Sequence, residues 1–188
     1  MLFNEYIKNI NSTIKALDEK QIRNLIELLY SAYKENKMVF VIGNGGSAAN
    51  ASHFAQDLAK GTRKYPEQAK RIKALSLTDN LPFITALGND EGYDTIFEQQ
   101  LRTFGNPGDV LICISGSGNS PNIIKAVNWA NDNMLVTVGI TGFDGGKLME
   151  LSKYSVHVPL NDMFTCESIH SIIFHFVLIE LNRILYEE

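Results

Sequence analysis

A chain of 188 residues is long enough to close one sizeable core and short for two, so a single domain over 1–188 is expected. Its 45% apolar and 20% charged content excludes a disordered chain. With 17 Lys and Arg against 21 Asp and Glu, a net charge of -4, nothing global attracts nucleic acid or an anionic membrane, and neither is expected as a partner.

The first segment sets Phe3, Tyr6, Ile7, Ile10, Ile14 and Leu17 at helical spacing, an amphipathic stripe that needs a surface to cover it. Asp18, three residues before Gln21, predicts an N-cap with a capping-box mate, and Ile22, Leu25, Ile26, Leu29 and Tyr33 continue a second helix. Residues 1–36 therefore read as a helical extension packing on the domain or on neighbouring subunits. From Met38 to Ile42 the pattern becomes a continuous apolar run, the mark of a strand buried on both faces. Similar runs recur at Ile72–Leu77, Val110–Ile114, Val136–Ile140 and Tyr154–Pro159, with helical patterns at Ser47–Ala59, Tyr93–Phe104 and Pro121–Asn131 between them. This alternation predicts an α/β fold of three layers, a doubly wound, mostly parallel five-stranded sheet flanked by helices. Thr165–Tyr186 is one long helix, apolar on much of its circumference, suited to burial or a subunit interface.

The amino terminus lacks a basic region followed by an apolar core, and no uncharged apolar run reaches the roughly 20 residues of a membrane span. Cys113 and Cys166 have no framework spacing and read as reduced thiols, so a cytoplasmic setting is expected. The basic stretch Gly61–Pro66 reads as a mobile surface loop, whose Lys60, Arg63 and Lys64 neighbourhood offers charge to an anion or simply a solvated face.

Two loops carry chemistry. Gly43-Asn44-Gly45-Gly46-Ser47 comes after a strand and opens a helix, where glycines let the backbone approach a ligand and the new helix favours an anion; Ser47 is expected to cap that helix or to donate to a ligand oxygen. It is neither a Walker loop nor a dinucleotide fingerprint, so no nucleotide cofactor is expected. Ser115-Gly116-Ser117-Gly118-Asn119-Ser120 lies in the same relation to a later strand and brings three hydroxyls to one place. An ordinary βα turn explains either loop alone. Two such loops at the ends of different parallel strands meet where open α/β sheets bind ligands, which points to a phosphorylated small molecule. His53 and Asp57, four apart, share a helix face, and Glu167 and His175 lie two turns apart on the last helix; each pair reads as solvated ions or as acid–base machinery.

These blocks, with His53-Phe54-Ala55, Leu87-Gly88-Asn89-Asp90, Gly108–Ile112 and Glu167-Ser168-Ile169-His170, resemble the sugar isomerase (SIS) fold and, within it, the phosphoheptose isomerase family. The resemblance runs from about Met38 to His175. It implies aldose–ketose isomerisation of sedoheptulose 7-phosphate to D-glycero-D-manno-heptose 7-phosphate through an enediol, in a homotetramer with sites near subunit interfaces. It implies substrate binding by Asn44, Gly45, Gly46, Ser47, Asp90, Ser115, Gly116, Ser117, Ser120 and Glu167. It implies catalysis by Asp57, Glu167 and His175, and zinc held by His53, Asp57, Glu167 and His175. The chain departs from the family pattern at Asp57, where glutamate is usual, at Glu167, where glutamine is usual, and at Gly116, where threonine is usual. Asp57 and Glu167 both remain open as the general base. His170 reads as a supporting or interface residue and His157 as structural. A non-catalytic phosphosugar sensor or protein-binding module, and an isomerase of another phosphosugar, remain as alternative functions.

Overall fold

The computed structural model describes residues 2–65, 67 and 70–187; Pro66, part of the expected basic loop, lies outside them. Helices α1 (Phe3–Lys15) and α2 (Glu19–Lys34) come first. Next are β1 (Met38–Gly43), α3 (Gly46–Gln56) with a π-helical turn at Asp57–Gly61, β2 (Lys73–Ser76) and α4 (Leu81–Asp90). Then come a 3-10 turn (Tyr93–Thr95), α5 (Ile96–Phe104), β3 (Val110–Ser115), α6 (Pro121–Asp132), β4 (Val136–Thr141), α7 (Gly146–Leu151), β5 (Tyr154–His157) and α8 (Met163–Glu187). The five strands form one sheet in the order β2-β1-β3-β4-β5, every pairing parallel.

Alternate residues of the inner strands feed two cores. Val39, Val41, Ile112, Ile114, Val138 and Ile140 face α2, α3 and α8, while Phe40, Ile42, Leu111 and Cys113 face α5, α6 and α7. Burial on both faces is what the uninterrupted apolar runs encode, and it produces the three layers. Because the chain leaves β1 outward to β2 and returns past it to β3, the loops after β1 and β3 diverge and open a crevice between them.

Asp18 caps α2, but its carboxylate accepts from Lys20 N at 2.9 Å and the expected box with Gln21 does not form. Gln21 Oε1 instead accepts from His157 N at 2.9 Å, tying α2 to β5. Of the α1 stripe, Ile10, Ile14 and Leu17 pack on the core while Phe3 and Ile7 stay exposed. Helix α8 is long and apolar enough to cross a membrane, yet half of that stretch is buried inside the fold, against α1, α2 and α3. Both cysteines are free and buried, and burial pushes both thiols up.

Candidate active site

The first glycine loop leaves β1 and turns into α3. Gly45 takes φ 55° and ψ -122°, a conformation that side chains resist, and it stands at the N-cap without a side-chain cap bond. Ser47 is therefore not the cap; it sits buried in the first turn of α3. The first amides of that helix have no carbonyl one turn earlier to bond, which makes them donors for an anion. Gly46 is small for a different reason, since a methyl there would meet the Glu167 carboxylate, 2.6 Å from its Cδ.

The second loop is held from inside. Ser115 Oγ accepts from Gly118 N at 3.2 Å and Ser117 Oγ from Asn119 N at 3.4 Å. A hydroxyl oxygen engaged as an acceptor still has its proton to give, so both serines are set up as donors to a ligand. Ser120 is the N-cap of α6 yet makes no side-chain cap bond; Ile123 N divides its hydrogen between the Ser120 carbonyl and Asn122 Oδ1, each at 3.0 Å. Around these groups lies a hollow of about 260 Å³, lined by Asn44, Gly45, Gly46, Ser47, Ile114, Ser115, Gly116, Ser117, Ser120, Met163 and Glu167. No Lys or Arg is among its described lining residues; hydroxyls and helix amides supply the positive potential.

Beyond Glu167 the hollow continues into an open one of about 590 Å³, lined by Gly46, Asn50, Phe164, Glu167, Ser168, Ser171, Ile172 and His175. Its walls are two helix faces. Gly46, Asn50, His53 and Asp57 recur at helical spacing along α3 into the π turn, and Glu167, Ser171 and His175 do so along α8. Asn50 Nδ2 donates to the Glu167 carbonyl at 3.1 Å, and Phe54 stacks on Phe174 with centroids 4.3 Å apart, so the faces are locked in register. At the far end His53 Nε2 lies 3.2 Å and His175 Nε2 3.9 Å from Asp57 Oδ2. Donor atoms of these three residues fall within 4.8 Å of one another, a separation that suits ligands of one ion, and two imidazoles with a carboxylate suit zinc. Glu167 is not in that trio; its carboxylate turns back to Gly46.

The remaining expected residues fall elsewhere. Asp90 is exposed at the end of α4, accepts from Asn89 Nδ2 at 2.7 Å, and lines neither hollow of its own chain. His170 is fully buried, not at a surface; its Nε2 bonds the Thr141 carbonyl at 3.2 Å, and burial pushes its imidazole down to about 4. His157 meets Thr141 Oγ1 at 3.0 Å, and desolvation lowers its pKa as well. Lys60, Arg63 and Lys64 line neither hollow, and Lys64 lies over the Tyr186 ring. Sequence reasoning missed Asn122 and Tyr93, which hold Asn44 at the mouth of the first hollow. An amide in the first turn after the Ser-Pro pair was the only trace.

The family model for the SIS domain matches residues 2–142. The chain is 38% identical over 171 residues to the phosphoheptose isomerase of Aliarcobacter butzleri, covering 91% of this chain and 87% of that protein. It is also 38% identical over 169 residues to that of Clostridium acetobutylicum, covering 90% and 85%. The solved phosphoheptose isomerase structure from Neisseria gonorrhoeae superimposes with a TM-score of 0.86 at 32% identity, covering 96% of this chain and 95% of that one. The one from Francisella tularensis gives 0.88 at 29% identity, covering 96% and 94%.

Proposed function

The chain belongs to the phosphoheptose isomerase family of SIS-domain proteins, and on that premise we propose that it interconverts sedoheptulose 7-phosphate and D-glycero-D-manno-heptose 7-phosphate. The phosphate sits in the first hollow, taking hydrogen bonds from Ser47, Ser115, Ser117 and Ser120 and from the amides of Gly45, Gly46 and Gly116. The carbon chain then leads past Glu167 into the second hollow. The observation that carries this reading is that Glu167 lines both, so that one carboxylate stands between an anion cradle and a pair of imidazoles.

Isomerisation needs a base at the carbon and a proton relay between two oxygens. Glu167 is the base in this reading, because Asp57 is engaged by two imidazoles while Glu167 faces both spaces. His175 passes the proton between the oxygens, and Asp57 orients it. As an alternative to that relay, His53, Asp57 and His175 would hold a zinc ion, with Glu167 as a fourth ligand after rotation of its side chain; such an ion, when bound, would polarise the substrate's carbonyl and hydroxyl oxygens and take His175 and Glu167 out of proton transfer. The apolar side chains exposed on α8, Phe164 and Ile172 at the second hollow and Phe176 and Ile179 further along the helix, support assembly into a homotetramer whose sites lie at subunit contacts, where Asp90 would serve a neighbouring copy's site. The free thiols and the phosphorylated substrate fit the cytoplasm.

Incubation with sedoheptulose 7-phosphate, following aldose formation, tests the activity. His175→Asn and Glu167→Gln should each lower kcat by about a hundredfold or more, the scale for loss of a general acid or base, and Asp57→Asn should cost less. A near-normal rate for Glu167→Gln with a collapsed one for Asp57→Asn would reassign the base. Binding of the ketose phosphate by the wild-type protein without turnover would leave a sensor instead of an enzyme.

A further inference from the structure

An asparagine at the edge of a phosphate hollow can present its oxygen or its nitrogen, and the choice decides whether it repels or attracts a ligand's oxygens. In Asn44 the choice is set by a chain of hydrogen bonds that begins in another helix. The backbone N–H of Ile123, in the first turn of α6, can only donate, and it donates to Asn122 Oδ1 at 3.0 Å. That N–H also meets the Ser120 carbonyl at 3.0 Å, but an amide nitrogen turned toward it would set donor against donor, so Asn122, only 2% exposed, keeps its oxygen there and its Nδ2 donates to Asn44 Oδ1 at 2.9 Å. Asn122 Oδ1 accepts in return from Asn44 Nδ2 at 2.9 Å. Tyr93 OH adds a second donor to Asn44 Oδ1 at 3.0 Å, from a 3-10 turn that the Asp94–Lys125 ion pair pins to α6.

With two donors on its oxygen and one of its two N–H bonds used, Asn44 has a single group left to offer, an N–H. We infer that Asn122 and Tyr93 are positioning residues that hold Asn44 so that this N–H meets an oxygen of the bound sugar phosphate. In a hollow whose described lining holds no cation, fixing one more neutral donor selects for an oxygen-rich anion over a ligand that brings its own donors. This inference rests on reading the hollow as the sugar-phosphate site.

The test is a pair of double-mutant cycles built on Asn44→Ala, with Tyr93→Phe and Asn122→Leu as partners, read as Kd by calorimetry with sedoheptulose 7-phosphate and as kcat at saturation. Tyr93→Phe should weaken binding roughly threefold and Asn122→Leu roughly tenfold, the worth of a neutral hydrogen bond and of a broken pair, with kcat changed by less than about twofold. In the Asn44→Ala background neither change should weaken binding further. Losses that persist in full in that background overturn the inference, because a merely structural role does not need Asn44 to be present. If Asn122→Leu does not fold, the Tyr93→Phe cycle decides alone, since that ring is 59% exposed. Failure of the wild-type protein to bind the ketose phosphate overturns the site reading together with this inference, whereas wild-type binding with additive losses overturns the inference alone.

Discussion

Glu167 puts a negative charge beside the hollow proposed for a phosphate, and no described Lys or Arg lines that hollow to offset it. Neutralising it therefore has two opposite effects. Glu167→Gln removes the base and lowers kcat, yet it should also lower KM about tenfold, because repulsion between partly exposed charges at close range is worth about 1–2 kcal/mol. An unchanged or raised KM in steady-state kinetics would mean that the phosphate sits elsewhere. His170 gives a second prediction. Its folded pKa of about 4 lies below the ordinary value of 6.5, so the unfolded chain takes up a proton first as pH falls. Stability is complete above about pH 6.5 and is lost progressively toward pH 4, in total on the order of 3 kcal/mol. Thermal unfolding from pH 7 to 5 should show Tm falling in the wild type and falling less in His170→Gln, with His157 leaving a residual slope of the same sign. At this scale the serines and glycines were legible in the sequence, because their residue types state what they can do. Asn122 and Tyr93 were not, because an amide's orientation is decided by partners that only the folded chain brings near.

The two helices that carry the imidazoles and carboxylates keep their register through Phe54 and Phe174, both nearly fully buried. Phe174→Ala should cost about 3–5 kcal/mol in urea unfolding and should also spread the His53–Asp57–His175 trio, lowering metal affinity in a dialysis assay. Strands β1 and β3 were readable because burial on both faces leaves no polar residue in the runs Met38–Ile42 and Val110–Ile114. The strand expected over Ile72–Leu77 is shorter, pairing only Lys73–Ser76, because the chain turns at Leu77 and Thr78 just after Leu77 N makes its last bond to β1, to the Val41 carbonyl at 3.0 Å. Helices α4 and α7 went unread. The first opens with Leu81-Pro82 and contains Gly88, and the second is six residues that begin at Gly146 after Gly145, both glycines with positive φ, all of which read as turns. Nor does spacing reveal that the α3 helix widens into a π turn at Asp57, where an extra residue per turn redirects the chain on its way to β2.

Across the whole molecule, a parallel, doubly wound sheet followed from alternating strands and helices, whereas the order β2-β1-β3-β4-β5, which places the crevice between the loops after β1 and β3, is set by pairings that alternation does not specify. Which apolar residues of α8 the fold buries and which it leaves exposed was not legible, since apolar residues on a helix read alike in either place. A ligand that occupies the hollow should raise stability by about 2.7 kcal/mol at a hundred times its dissociation constant, and a thermal shift series in sedoheptulose 7-phosphate measures this. The hydrogen-bonded amides of Asn44 and Asn122 stand 78 residues apart in the chain, beyond the ends of the paired strands β1 and β3, so the pair forms only once that long loop has closed. A fragment that ends before β3 lacks the serines of the second loop and so half of this anion cradle. Sugar phosphate present during refolding therefore stabilises only chains that have completed the long crossover, and capture on it separates finished molecules from collapsed ones.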